Sequence, residues 1–134
     1  MNPPSVDMKD LMDGDSSLGL SFGVDLFVSE IPETPGLAVG LYDYGGLAPE
    51  VNYNYERPNV QVLVRGTKLS GAYVTAHKKG QAIRDFLIAQ RNPIINGARY
   101  IGIWALSDVS FLGYDENHRP QVTVNFRLHR TTST

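Results

Sequence analysis

The sequence contains no cysteine in 134 residues. This absence excludes disulfide bonds, thiol catalysis and thiolate metal sites, and it indicates a protein that folds and works without redox chemistry. The sequence also lacks an uninterrupted apolar run of about 18 residues, the length that a membrane-spanning helix requires. Residues 1–15 contain four aspartates and one lysine, without the cationic start and apolar centre of a signal peptide. We therefore expect a soluble protein that is not exported through a standard signal.

Motifs for catalysis and nucleotide binding are missing as well. The chain has no Gly-x-Ser-x-Gly nucleophile turn, no GxxxxGK[ST] phosphate loop and no GxGxxG between a strand and a helix. The three histidines, His77, His118 and His129, show no metal-binding spacing. An Asp-Gly-Asp segment near the N-terminus lacks the further ligands of a calcium loop. The sequence therefore predicts no enzyme, no metal site and no cofactor.

The charges are divided unevenly along the chain. Residues 1–56 contain ten acidic residues and one lysine, whereas residues 57–134 contain eleven basic and four acidic residues. The two parts carry net charges of −9 and +7, although the whole chain is close to neutral. Two explanations remain open: the charges are satisfied within one folded chain, or an acidic face of one subunit meets a basic face of the next, as in a head-to-tail ring.

The N-terminal half is predicted to form a short helix and three strands. Ser5 is a plausible N-cap for the helix. Alternating apolar residues predict a first strand at 24–29 and, after a proline-containing turn, a hairpin partner at 37–42 that two consecutive glycines end. A long loop at 45–58 then leads into a third strand at 59–65.

The C-terminal half is predicted to form one main helix and two strands. Thr67 or Ser70 can cap the helix, whose apolar stripe recurs at three- and four-residue steps. A nearly continuous apolar strand at 100–106 is expected to be covered on both faces. A polar turn at 113–120 precedes a half-exposed strand at 122–128. The predicted stripe of the helix consists of Leu69, Tyr73, Ala76, Gly80, Ile83 and Leu87.

Together these elements predict the α+β class and a single domain over residues 1–134. The expected architecture is a mostly antiparallel or mixed β-sheet of about five strands. One main helix and the short N-terminal helix flank this sheet.

The segment from residue 42 to residue 56 is rich in tyrosine and acidic side chains. Its tyrosines either pack on their own domain or serve as aromatic anchors for a neighbour, because a tyrosine buries a large ring while its hydroxyl stays satisfied. We predict that they make subunit contacts, with acidic residues of the segment facing bases on the main helix. The predicted interface residues are Tyr42, Asp43, Tyr44, Glu50, Tyr53, Tyr55 and Glu56 in the segment and Lys78, Lys79 and Arg84 on the helix.

Several segments occur in a recognisable order. A short N-terminal helix precedes a Pro-x-x-Pro segment (Pro32 to Pro35), an apolar strand, an aromatic Gly-Gly segment and the sequence RPNVQVLVRG (57–66). With the amphipathic helix and basic last strand that follow, this order resembles the tail-terminator and minor capsid proteins of long-tailed phages over roughly residues 5–130. The resemblance implies a virion structural protein with a mostly antiparallel sheet flanked by helices. It further implies a hexameric ring that sits on the last ring of the tail tube and stops tube polymerisation.

The resemblance also implies the partners and the location. The expected partners are other copies of the chain in a homohexamer, the tail tube protein, and the head connector or a head-completion protein. Phage DNA passes through the ring only as cargo, and no membrane is contacted. The expected location is the head-proximal end of the virion tail, after assembly in the host cytoplasm.

Two other functions remain open from the sequence. One is another neck role, as a tail-to-head joining or completion protein. The other is a small nucleic-acid-binding module, in which Arg65, Arg99, Tyr100 and Arg127 lie on a sheet that binds and stacks bases. A sequence pI near 5.8 disfavours this second alternative, because most nucleic-acid binders carry a strong positive field.

Overall fold

The computed structural model describes residues 1–34, 36–48 and 55–132. In this part of the chain two helices and seven strands follow one another. They are α1 (Pro4–Met12), β1 (Leu26–Val28), β2 (Ala38–Leu47), β3 (Tyr55–Arg65), α2 (Ala72–Ile88), β4 (Ile94–Ile95), β5 (Ala98–Ala105), β6 (Ser110–Tyr114) and β7 (Pro120–Thr132). The predicted α+β class is confirmed, with two more strands than expected.

All seven strands belong to one mixed sheet. The strand order is β1-β2-β3-β7-β5-β4, and β6 pairs with β7 on the same side as β5. The inward side chains of the central strands form a single core with residues from both helices, including Met8 and Met12 of α1 and Ile83 and Leu87 of α2. The helices therefore occupy one face of the sheet, and the other face carries no helix in the described residues.

The prediction that the first two strands form a hairpin is wrong. Leu26 pairs with Val39 in parallel, so the chain must return to the same end of the sheet between β1 and β2. Ile31 on this return packs so closely over Gly40 that a Cβ at Gly40 would lie 2.6 Å from Ile31 Cγ1. Arg65 of β3 holds the return in place, because its guanidinium donates to the carbonyls of Pro32 (2.7 Å) and Gly36 (3.2 Å).

The β2–β3 hairpin occupies much of the predicted loop at 45–58. β2 continues through Gly45 and Gly46 to Leu47, and β3 already begins at Tyr55. The two glycines form an irregularity in the pairing and do not end the strand. Gly46 has a φ of 112°, and a Cβ at that position would lie 2.5 Å from the Arg57 carbonyl oxygen. Only glycine fits this close approach of the two strands.

The predicted helix caps are wrong, although both helices are present. The residue before α1 is Pro3, and Ser5 lies in the first turn, where its amide and hydroxyl donate to the Asp43 carboxylate at 2.9 and 2.6 Å. α2 begins after Gly71, which has a φ of 81° and provides no side-chain cap. The two proposed capping residues, Thr67 and Ser70, both precede it.

The predicted apolar stripe of α2 is confirmed at its centre and wrong at its start. Ala76, Gly80, Ile83 and Leu87 are buried, together with Ala72. The side chains of Leu69 and Tyr73 are 75% and 38% exposed. The helix begins three residues after Leu69, so Leu69 is outside the stripe.

The prediction that strand 100–106 is covered on both faces is wrong for the single chain. Tyr100 and Ile103 of β5 are buried, whereas Ile101, Trp104 and Leu106 are each 45–49% exposed. The cause is the position of β5 near the end of the strand order, with helices on one face only. The alternation predicted for the last strand is confirmed by the buried inward residues of β7, which are Val122, Val124, Phe126 and Leu128.

Candidate interaction surface

The predicted interface residues of β2 point to opposite faces of the sheet. Asp43 lies on the helix side, where its carboxylate binds Ser5 at the start of α1. Tyr42 and Tyr44 lie on the helix-free face, since successive strand residues alternate. Burial raises the pKa of both tyrosine hydroxyls, and the charge of Arg127 partly offsets this effect for Tyr44. The two tyrosines therefore lie on the face without helices, whereas Asp43 fixes α1.

Tyr55 and Glu56 begin β3 and are bonded to the C-terminal part of β7. The Tyr55 hydroxyl is hydrogen-bonded to Nδ1 of His129, and Trp104 packs edge-on against the same imidazole at 4.4 Å. Glu56 accepts a hydrogen bond of 2.8 Å from Arg130. Both side chains therefore fix the start of β3 to β7. The other two predicted residues of this segment, Glu50 and Tyr53, lie outside the described residues.

The three predicted bases of α2 have different environments. Lys79 donates to the carbonyl of Leu18 at 2.6 Å, so it anchors the segment between α1 and β1. Arg84 pairs with Asp85 and Asp108, and these contacts raise its pKa. Lys78 is exposed beside a shallow groove lined by Tyr73, Val74, His77 and Gln81.

Among the three bases, Lys78 is thus the one whose charge faces solvent without an ion pair in the described part of the chain. Lys79 and Arg84, by contrast, are bonded to residues of their own chain.

An aromatic surface that the sequence analysis missed lies along β6. Tyr73 packs edge-on against Phe111 at 5.1 Å, Phe111 against Tyr114 at 5.5 Å, and Tyr114 stacks on His118 at 4.4 Å. Phe111 and Tyr114 are 49% and 53% exposed, and Leu112 between them is 62% exposed. We call Tyr73, Phe111, Leu112 and Tyr114 the β6 patch. The run of large residues at 111, 112 and 114 is the signal that could have revealed this strand.

A buried polar network was also missed. The Asp7 carboxylate accepts hydrogen bonds from the Tyr100 hydroxyl and from Asn96 (2.7 Å), and Arg130 Nη1 lies 3.5 Å from it. Burial and the bond to Asp7 raise the pKa of Tyr100 strongly. Although burial alone would lower the pKa of Arg130, its contacts with Tyr100 and Glu56 raise it overall. No sequence pattern distinguishes Asp7 from the other N-terminal aspartates.

The residues considered for base stacking do not form one accessible surface. Tyr100 is fully buried against Asp7, and Arg65 is 4% exposed because it holds the return between β1 and β2. Arg127 lies on the helix-free face, where it donates to Asn59 at 3.3 Å. The described residues contain no cluster of three metal-binding side chains and no helix long and apolar enough to cross a membrane.

Comparisons with known proteins agree with this architecture. The model of the family described as bacteriophage tail terminator protein matches residues 8–132. A solved chain from the virion of a native gene transfer agent particle is 17% identical, with a TM-score of 0.74 over 95% of this chain and 93% of that one. A second solved chain is 11% identical, with a TM-score of 0.55 over 98% and 92% of the two chains. No curated protein matches the chain.

At these identities the two solved structures establish the fold alone. The family model spans nearly the whole described structure, from α1 to the end of β7. The chain therefore belongs to the bacteriophage tail terminator family and is a structural protein of a phage tail, not an enzyme.

Proposed function

We propose that this protein forms a homohexameric ring on the head-proximal end of the tail tube. The ring stops tube polymerisation and offers its opposite face to the head connector or to a head-completion protein. Phage DNA passes through the central opening as cargo. The protein assembles in the host cytoplasm and stays in the virion at the junction of tail and head. The observation that carries this proposal is the family match over residues 8–132.

The mechanism is geometric. A contact between two different surfaces of identical subunits closes a ring when the rotation per subunit divides a full turn. Once the ring caps the tube, its distal face differs from that of a tube subunit, so the next tube ring finds no matching surface. Stopping the growth of the tube in this way requires no catalytic group.

We further propose that the β2–β3 hairpin of one subunit contacts α2 and the β6 patch of the next. On the hairpin side, Tyr42 and Tyr44 lie on the helix-free face, and Glu50 and Tyr53 belong to the same proposed surface. On the other side, Lys78 is exposed beside Tyr73 of the β6 patch. Aromatic residues are enriched at the centres of protein interfaces, and opposite charges at the rim favour the correct pairing.

Asp43, Tyr55, Glu56, Lys79 and Arg84 contribute to this contact indirectly, because each is bonded within its own chain. They hold the hairpin, the start of α1 and the surface of α2 in position. Substituting these residues is expected to alter folding as well as assembly. A substitution of Lys78 tests assembly alone, because its side chain is not bonded to any other residue that the structure describes.

Native mass spectrometry combined with negative-stain imaging tests the proposal. The purified chain is measured alone and after mixing with tail tubes that lack a terminator. Six-fold rings, either free or bound to tube ends, are the expected result. A chain that stays monomeric and ignores tube ends would contradict the proposal and favour a different neck position. Retention on DNA that falls as salt is raised would instead favour the nucleic-acid-binding alternative.

A further inference from the structure

An apolar surface with a positive rim lies at the β4–β5 end of the sheet. Ile94, Ile101 and Trp104 are 57%, 45% and 49% exposed, and Arg99 is exposed beside them. Arg99 makes no ion pair or hydrogen bond with the other residues that the structure describes. We call Ile94, Arg99, Ile101 and Trp104 the basic edge. Contiguous exposed apolar surface of this kind is typical of an interaction site.

The backbone at the basic edge is also open. β4 pairs only with Ala98 and Arg99 of β5, so within the described residues 101–105 have no strand on that side. The unpaired backbone groups of an open strand edge with apolar side chains can pair with a strand of another chain or be covered by it. The nearly continuous apolar sequence of β5 is typical of a strand covered on both faces. Within a single chain, the helices cover only one of these faces.

A surface of complementary character lies at the opposite end of the strand order, beside β1. Phe22 and Val24 are 50% and 63% exposed, and Asp13 and Glu30 are exposed near them in the sequence. We call these four residues the acidic edge. The Lys9 ammonium over the Phe22 ring is neutralised by its ion pair with Asp10. Residues 9–30 contain five acidic residues and one lysine, whereas residues 86–107 contain two arginines and no acidic residue.

We propose that the basic edge of one copy of this chain docks against the acidic edge of a second copy. The partner is identified by charge complementarity and by exposed apolar side chains on both surfaces. Since β1 and β4 are the two ends of the strand order, the contact is heterologous, and its repetition propagates from one subunit to the next. This inference rests on the proposed ring and adds to it the surfaces that join the subunits through their sheets. Trp104 is the aromatic anchor of the contact.

The absence of cysteine makes a cross-linking test direct. The variant carrying both Val24→Cys and Ile101→Cys is oxidised under non-denaturing conditions and analysed on a denaturing gel without reductant. A ladder of covalent multimers from dimer upward is expected, because each subunit carries one thiol on each side of the contact. The two single-cysteine variants cannot extend beyond a dimer.

The matched control pairs Val24→Cys with Ser107→Cys, which is also exposed but lies between β5 and β6, outside both proposed contacts. The Leu106 amide donates to the carbonyl of Asn125 and Gly102 is opposite His129, so positions 101 and 107 are separated by about 15 Å along β7, beyond the reach of one disulfide. The control variant is expected to give no ladder. Native mass spectrometry on each reduced variant reports whether rings form.

The outcomes separate this inference from the proposed function. Rings with a ladder only in the Val24→Cys and Ile101→Cys variant support it. Rings without that ladder, or with an equal ladder in the control, overturn the inference and leave the ring function standing. A ladder without rings supports the edge contact and contradicts the ring. The absence of both rings and ladder overturns both.

Fluorescence gives a second readout that needs no substitution. Trp104 is the sole tryptophan of the chain and is half exposed as a monomer. Burial at the contact is expected to shift its emission to shorter wavelength as the protein is concentrated into rings. Ring formation with an unchanged emission maximum would overturn the inference.

Discussion

Arg130 Nη1 lies 3.5 Å from Asp7 Oδ2, although the two residues are at opposite ends of the chain. The two side chains are 7% and 1% exposed, so the pair is shielded from solvent. Arg130 also donates to the carbonyl of Asn2 at 2.7 Å and to Glu56 at the start of β3. One buried cation thus fixes α1 to β7 and to the start of β3.

Asp7→Ala is expected to lower the free energy of unfolding by about 1–3 kcal/mol, because the Asn96 amide loses a buried acceptor and Arg130 loses one of its two carboxylate partners while keeping Glu56. Tyr100 also loses its acceptor in this variant. Urea denaturation followed by circular dichroism measures the change. Glu116→Ala is the control, since Glu116 is exposed and has no bonded partner in the described residues. Equal stability of the two variants would contradict the structural role of Asp7.

The stability of the protein is expected to fall as the pH drops below about 6.5. Burial, followed by the charges of Arg57 and Arg127, lowers the pKa of His129. The folded chain therefore binds fewer protons at this site than the unfolded chain, so the stabilisation is complete above the unfolded pKa and is lost as the pH falls through the folded one. His129→Phe keeps an aromatic ring beside Trp104 and Tyr55 and should reduce this loss.

Thermal unfolding measured from pH 7 to pH 5 tests the role of His129. The wild type should lose stability over this interval, and His129→Phe should lose less. A variant with the same pH dependence as the wild type would show that another group is responsible.

Lys78→Glu is expected to weaken ring assembly without changing the fold. Reversing an exposed charge at the rim of a contact costs about 1 kcal/mol, and the cost recurs at every contact of the ring. Lys78→Arg is the matched control, because it keeps the positive charge at the same exposed position. Sedimentation velocity over a range of concentrations measures the assembly. Equal assembly of the two variants would remove Lys78 from the proposed interface.

Lys79 should be left intact in this experiment. Its ammonium group donates to the Leu18 carbonyl, and Leu18 belongs to the core. If Lys79 were substituted, a loss of assembly could not be distinguished from a loss of folding.

Charge exchange provides an independent check on the edge contact. Arg99→Glu alone and Glu30→Arg alone are each expected to weaken assembly, because like charges then meet across the contact. The chain carrying both substitutions should recover ring formation in native mass spectra. Failure of the double variant to recover while both single variants are impaired would show that these two residues do not face each other.

The pattern of apolar residues predicted the elements better than their connections. The 3.6-residue period placed α2, and strict alternation placed β7, because both depend on which side of one element is buried. The parallel pairing of β1 with β2 could not be predicted from the periodicity of apolar residues. It depends on Arg65, which lies beyond both strands in the sequence and whose guanidinium holds the carbonyls of the intervening return.

The candidate interface was predicted from residue type. Residue type does not show which face of the sheet a side chain lies on. Tyr44 and Asp43 are adjacent in the sequence, but one lies on the helix-free face and the other binds Ser5. Long-range bonds such as those of Glu56 with Arg130 and Lys79 with Leu18 leave no local signal. The β6 patch escaped notice because its strand has only five residues.

If this protein ends the growth of a tail tube, the length of the tubes depends on how much of the protein is present. Purified tube protein is allowed to polymerise with increasing amounts of the chain, and the tube lengths are measured in negative-stain images. Tubes are expected to become shorter as the chain is added, and one end of each is expected to carry a ring. Tube lengths that do not depend on the amount added, with bare ends, would show that the protein does not end tube growth.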